Sequence, residues 1–386
     1  MAGDRLAAPD VLRGIAIAGT FATNVWVFAD PRGPGAVLGG FAGGWWVDDV
    51  LLALSNGKFL ALLTLLFGIG MELQYRSAVR RGMRWPGRYL ARAAILFTEG
   101  LLHYVLIFEF DVLMGYAIAS VLVAWLVGRS RAVRITAGVL AGGFVVLLVG
   151  AVTAVLVLTA DLSADDEPPY PPTWTGQVWV RLTEPLLYRA ELLFIVPSAV
   201  VLFLAGSALL RAGLFDDDGA GTRIRRRLVV VGGLGVVLNV VTVLAGPEWL
   251  FVERYLVAPL VAAGLLGLVP AVLLRVRGPA GRARRGRGAD GSFTGSLTAI
   301  GRTAMTCYVG QNVVAGVLFH PWGFGLASAL ATVHAPARTA AIAGVWAAVL
   351  LLSALGATAW LRRHDRGPLE AVTHALLRRR ASPVTG

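Results

Sequence analysis

The sequence holds 386 residues, of which 56% are hydrophobic and only 15% charged, with a mean hydropathy of +0.70. Soluble globular chains carry about 25% charged residues, so one large soluble core is excluded. The net charge of +12 does not mark a nucleic-acid binder either. The arginines stand in short clusters between apolar runs, and no basic stretch is interleaved with aromatics.

The apolar runs recur at a length of roughly 20 residues, enough to cross a hydrocarbon layer about 30 Å thick. They predict an all-α polytopic membrane bundle of about ten spans, at 11–29, 50–74, 89–108, 111–128, 132–159, 189–210, 228–245, 254–274, 299–319 and 338–361. The organisation expected is one transmembrane domain over 1–386. It has five spans within 1–160, an outer loop at 161–188, five spans within 189–375, and a basic cytoplasmic tail at 376–386. No convincing small-residue cleavage site follows the first run, so that span is expected to be retained.

Span one opens Asp10-Val11-Leu12-Arg13-Gly14 and carries Asn24 near its far end. Asp10 and Arg13 share a helical face. They read either as a local ion pair that anchors the helix end or as a guanidinium offered to phosphate. Span two holds Lys58, the sole lysine, then the small residues of Phe67-Gly68-Ile69-Gly70, which permit close helix approach, and Glu72. Lys58 reads as a snorkelling anchor or as an inward, paired cation.

Spans three and four are separated only by Glu109-Phe110-Asp111, which predicts a helical hairpin with its acidic corner at an interface. On span three, Glu99 and His103 are four apart. A carboxylate beside an imidazole can fix its tautomer and raise its basicity, the arrangement of a proton-transfer group. The alternative is a histidine satisfied by a bundle hydrogen bond. The outer loop contains Pro168, Pro169, Pro171 and Pro172 with Trp174 and Trp179, an extended interfacial segment or a lid. The stretch 276–295 is rich in Arg and Gly, a linker near anionic headgroups. Span nine carries Cys307, Tyr308, Gln311 and Asn312, with His320 and Trp322 beyond. Amides there serve as interhelical glue or as ligand contacts. The single cysteine excludes an internal disulfide.

Orientation follows from charge. Loops after even-numbered spans hold Arg76, Arg80, Arg81, Arg84 and Arg88, then Arg129, Arg131 and Arg134, then Arg223, Arg225, Arg226 and Arg227. Alternate loops hold Asp48, Asp49, Asp161, Asp165, Asp166, Glu167, Glu248 and Glu253. Arginine-rich loops resist translocation, so the basic set is expected in the cytoplasm with both termini. The five histidines at 103, 320, 334, 364 and 374 show no metal-ligand spacing, and no P-loop, dinucleotide fingerprint or nucleophile elbow occurs.

Taken together, DVLRGIAIAGTFATN, GKFLALLTLLFGIG, GLLHYVLIFEFDVLMGYAI, GRTAMTCYVGQN, GFGL and RGPLEAV resemble the YeiB-like family of bacterial membrane proteins. Its C-terminal half is known as domain of unknown function 418. The likeness runs in order from about residue 8 to 375, and the middle, 130–185, matches only in hydropathy. That family is distantly similar to transmembrane acyltransferases, including sugar O-acyltransferases and the heparan glucosaminide N-acetyltransferase.

The resemblance implies a multi-pass plasma-membrane enzyme with no bound cofactor. Acyl-CoA would be the co-substrate, and a small molecule or glycan the acceptor at the outer face. Arg13 would contact CoA, His103 would act as base and Glu99 would orient it. Lys58, Asn24 or Gln311 would donate to the oxyanion, with Asp111 and Asn312 lining the substrate site. The sugar O-acyltransferases have their catalytic histidine eleven residues after the arginine. That position is Asn24 here, which leaves His103 as the replacement. A small-molecule exporter and a non-catalytic scaffold are the competing readings; the oligomeric state is left open.

Overall fold

A computed structural model of the chain describes residues 7–34, 45–159, 170–276 and 293–379. Every regular element among the described residues is helical. Pro168, Pro169, the acidic run 161–167, most of the 276–295 linker and residues 380–386 fall outside them.

The helices are α1 (Ala7–Ala29), α2 (Trp46–Ser55), α3 (Lys58–Arg80), α4 (Arg88–Leu106), α5 (Leu113–Val127) and α6 (Arg131–Leu158). Next come α7 (Trp174–Thr183), α8 (Pro185–Arg189), α9 (Leu192–Arg211) and α10 (Gly219–Ala245). A π-helical turn at Glu253–Val257 leads into α11 (Ala258–Val276). The rest are α12 (Phe293–Arg302), α13 (Ala304–Phe319), α14 (Leu326–Ala331), α15 (Ala335–Leu361) and α16 (Pro368–Arg379).

Among the described residues, seven segments are long and apolar enough to cross a membrane: Ala8–Ala29, Trp46–Arg80, Arg131–Leu158, Leu192–Arg211, Gly219–Ala245, Pro247–Arg275 and Ala335–Leu361. Leu113–Val127 and Ala304–Phe319 are shorter apolar helices. With α4, whose apolar run is broken by Arg92, Glu99 and His103, they occupy the ten predicted regions. The helical-bundle expectation is borne out.

Three details differ from the sequence reading. Span two is a broken helix, because Gly57 adopts a left-handed backbone (φ +71°) between α2 and α3. Span nine is interrupted at Thr303. The outer segment is partly helical, as α7 and α8, rather than extended throughout. Thr173 caps α7 by accepting from Gly176 N–H, which stabilises a helix immediately after the prolines.

The bundle is layered around α1. Within α1's apolar window 78% of residues are buried, against 17% for α6 and for α15, so those two face outward. Helix α3 crosses α9 where both carry glycine. A Cβ on Gly68 would strike the carbonyl of Phe203, and one on Gly206 would strike that of Leu65. Small residues at such a crossing let two backbones touch. Gly68→Val should lower stability by about 1–3 kcal/mol through overpacking. Gly143→Val, which has open space around it, should leave the thermal midpoint in detergent unchanged.

The end of the chain returns to the bundle. Glu370 of α16 accepts Met305 N–H at 2.8 Å, Thr306 N–H at 3.3 Å and the Thr306 hydroxyl at 2.6 Å. A carboxylate thus satisfies the open N–H groups of α13 and complements its positive dipole end.

Candidate functional site

Helix α4 stops at Leu106, and the turn 107–112 sends the chain back as α5. Asp111 is fully buried in that turn. One of its oxygens accepts Met114 N–H at 3.2 Å, capping α5. The other faces His103 Nδ1 at 2.9 Å. His103, 2% exposed, receives an amide proton of Asn312 Nδ2 at Nε2, 3.1 Å away. Asn312 in turn accepts from Asn24 Nδ2 at 3.1 Å. One consistent set of protons runs Asn24→Asn312→His103→Asp111. It makes the imidazole neutral with its proton on Nδ1 and its lone pair on Nε2.

The corner is clamped by the segment from Tyr170 to Arg189. Buried Arg181 on α7 donates Nε–H to Glu109 at 2.6 Å and reaches the carbonyls of Val105 and Ile107. Tyr170 donates its hydroxyl to the same Glu109 carboxylate. Arg189 donates to the carbonyls of Asp111 and Glu109, with its guanidinium 4.0 Å above the Tyr104 ring. Burial raises the Tyr170 phenol well above its ordinary range and lowers the neighbouring His320 imidazole to about 4.

Other expected site residues are placed elsewhere. Glu99 binds the Thr373 hydroxyl of α16 at 2.6 Å rather than His103. It lies one turn toward the arginine-rich end, while the hairpin brings Asp111 over the imidazole. Lys58 donates to Glu253 at 2.9 Å and to the Asn56 carbonyl at 3.1 Å, so its inward, paired reading describes the geometry. Glu253 also accepts from Asn56 and Asn239. Gln311 donates to Ser353 of α15 at 3.3 Å, one residue round the helix from Asn312. Arg13 bonds Asp10 at 2.9 Å with a third of its side chain exposed.

Two cavities flank this line. The one toward the arginine-rich end, about 270 Å³, is lined by Arg13, Gln74, Arg92, Arg302, Glu370 and Tyr308 among others. The one toward the acidic end, about 210 Å³, is walled by phenylalanines 108, 110, 194 and 251, with Thr20, Asn24, Glu191 and Arg254 as polar groups. Tyr308 belongs to both walls, and its ring lies 5.0 Å from that of His103. Sequence reading noted Tyr308 but not the arginines 92, 302 and 254. They stand within the first turns of predicted spans and look like ordinary interfacial charge until the helices are assembled.

The fold and site together define a helical membrane bundle with a buried Asp–His–Asn–Asn line between two opposed cavities. Residues 209–380 match the family described as protein of unknown function (DUF418). The chain is similar along nearly its whole length to the uncharacterized protein YeiB of Escherichia coli strain K12, 25% identical over 416 residues and covering 97% of each. It is also 31% identical over 126 residues to the uncharacterized protein YxaH of Bacillus subtilis strain 168, covering 31% of each. The resemblance expected from the sequence holds; the likeness to acyltransferases is not part of these matches.

Proposed function

We propose that the protein is a transmembrane acyltransferase, moving an acyl group from acyl-CoA at the arginine-rich, cytoplasmic end to an acceptor entering from the opposite face of a bacterial plasma membrane. The observation that carries the reading is the pair of opposed cavities meeting at Tyr308 beside His103. One face of α1 follows both, from Arg13 through Ile17 to Thr20 and Asn24. Eleven residues of helix separate Arg13 from Asn24, a rise of ~16 Å. A phosphate held by Arg13 and Arg302 would therefore leave an extended arm to carry a thioester to the imidazole.

The chemistry uses groups already set in place. An acceptor hydroxyl or amine replaces the Asn312 amide at His103 Nε2 and gives up its proton there as it attacks the thioester carbonyl. The new bond forms, the C–S bond breaks, and the leaving thiolate takes the proton back from the imidazolium. Asp111 holds Nδ1–H throughout and stabilises the transient charge.

Binding of radiolabelled acetyl-CoA to the purified full chain tests this reading. Arg13→Ala should weaken it roughly 10- to 100-fold, the value of a charge-assisted contact to phosphate. Undetectable binding to the wild type would defeat the proposal. Two opposed cavities parted by one ring also suit an alternating-access carrier. Transport of a solute without consumption of acetyl-CoA would favour that second reading.

A further inference from the structure

The expected oxyanion donors Lys58, Asn24 and Gln311 are committed to Glu253, Asn312 and Ser353, which leaves open what holds the reacting carbonyl. Two other hydroxyls line the outer cavity. Thr20 is 2% exposed, lines the outer cavity, and its Oγ1 has no hydrogen-bond partner among the described residues. A helical threonine normally satisfies its hydroxyl on a carbonyl of the preceding turn, as Thr64 does on Leu60. A buried hydroxyl without a partner incurs a desolvation cost that a ligand removes. Tyr308 is 4% exposed and lies on the wall between the cavities. Its ring packs against His103 while its hydroxyl bonds no other described residue.

We infer that Thr20 Oγ1 and Tyr308 OH form a two-donor seat for a thioester carbonyl oxygen at the junction of the cavities. The inference rests on the acyl-transfer reading and names the part of the site that reading leaves without donors. When the acceptor attacks, the carbonyl π electrons move onto that oxygen. Both hydroxyls then donate to the oxyanion until it collapses, expelling the thiolate. Each is neutral and fixed on a helix of the bundle, so neither has to reorganise as the charge develops. Tyr308 offers its hydroxyl beside His103, and Thr20 offers its own on the face of α1 that runs from Arg13 to Asn24.

The test uses the full chain in detergent micelles with acetyl-CoA labelled at the carbonyl carbon with 13C. Infrared difference spectra should show the bound thioester carbonyl at lower frequency than free acetyl-CoA. Tyr308→Phe and Thr20→Val should each reduce that displacement, the double variant should abolish it, and Thr20→Ser should retain it. Acetyl-CoA affinity should change less than threefold in all four. Turnover, read as CoA thiol released in membranes, should fall about 100- to 1000-fold in Tyr308→Phe. A wild-type carbonyl at the free frequency, with acetyl-CoA demonstrably bound, would overturn the seat and leave the acyl-transfer reading standing. Full turnover in both hydroxyl-deleted variants would overturn the seat equally. Failure of the wild type to bind acetyl-CoA would remove the reading itself.

Discussion

Replacing Lys58 with methionine should cost about 3–5 kcal/mol of stability, because it leaves a buried carboxylate without its cation. Both partners are almost fully enclosed, with side-chain exposures of 5% and 9%. Asn56 and Asn239 would still donate to Glu253. Two neutral donors satisfy lone pairs but do not replace a positive charge in a water-poor interior. The partner variant supplies the control: Glu253→Gln added to Lys58→Met should recover most of the loss, since the amide needs no counter-ion. Thermal unfolding in detergent reads both. A Lys58→Met midpoint equal to wild type would show that Glu253 is not charged in the native bundle. The pair joins the start of α3 to the π-helical turn ahead of α11, so the single variant should loosen the outer cavity's Asn56 and Arg254 wall first.

The second large effect belongs to Asp111→Asn, which should reduce acyl transfer roughly 10⁴-fold while leaving acetyl-CoA affinity unchanged. The cause is the position of a proton rather than charge alone. One oxygen of Asp111 is committed to Met114 N–H and the other to His103 Nδ1. An asparagine keeping its carbonyl on Met114 must turn its NH₂ toward Nδ1, which then accepts. The imidazole proton moves to Nε2, where the base needs its lone pair. Transfer from labelled acetyl-CoA measures the loss, and the near-isosteric side chain should keep the thermal midpoint within a few degrees. Turnover within tenfold of wild type would show that His103 works without a fixed tautomer, or is not the base.

Much of the architecture was legible in the residues. Runs such as 132–159 and 338–361 announce helices by length and apolarity, and the Glu109-Phe110-Asp111 corner announces the hairpin. The broken second span was less visible. Asn56-Gly57 sits inside an otherwise continuous run, and only the assembled bundle supplies Glu253 and Arg254 to bind the freed polar groups. Helix α16 was hidden for another reason: Pro368–Arg379 is short and charged, and its stability comes from docking Glu370 and Thr373 on α13 and α4.

In the site, His103, Asp111, Asn24 and Asn312 were each singled out, and the fold brings all four together. Pairing Glu99 with His103 followed from their spacing of four along a helix. Spacing within one helix cannot reveal that a reversal eight residues later returns a second carboxylate to the imidazole. Long-range partners of that kind explain the unforeseen role of Arg181 and Arg189 as well.

Those two arginines have an implication for anyone reshaping the molecule. The stretch from Tyr170 to Arg189 looks dispensable, since it supplies none of the groups hydrogen-bonded to His103. Yet trimming it would untie the knot that keeps the 107–111 bend closed, and the imidazole would lose its orientation without any change among the groups that touch it. A loop graft that preserves chain length but not these two cations would give a well-inserted protein with a disarmed centre.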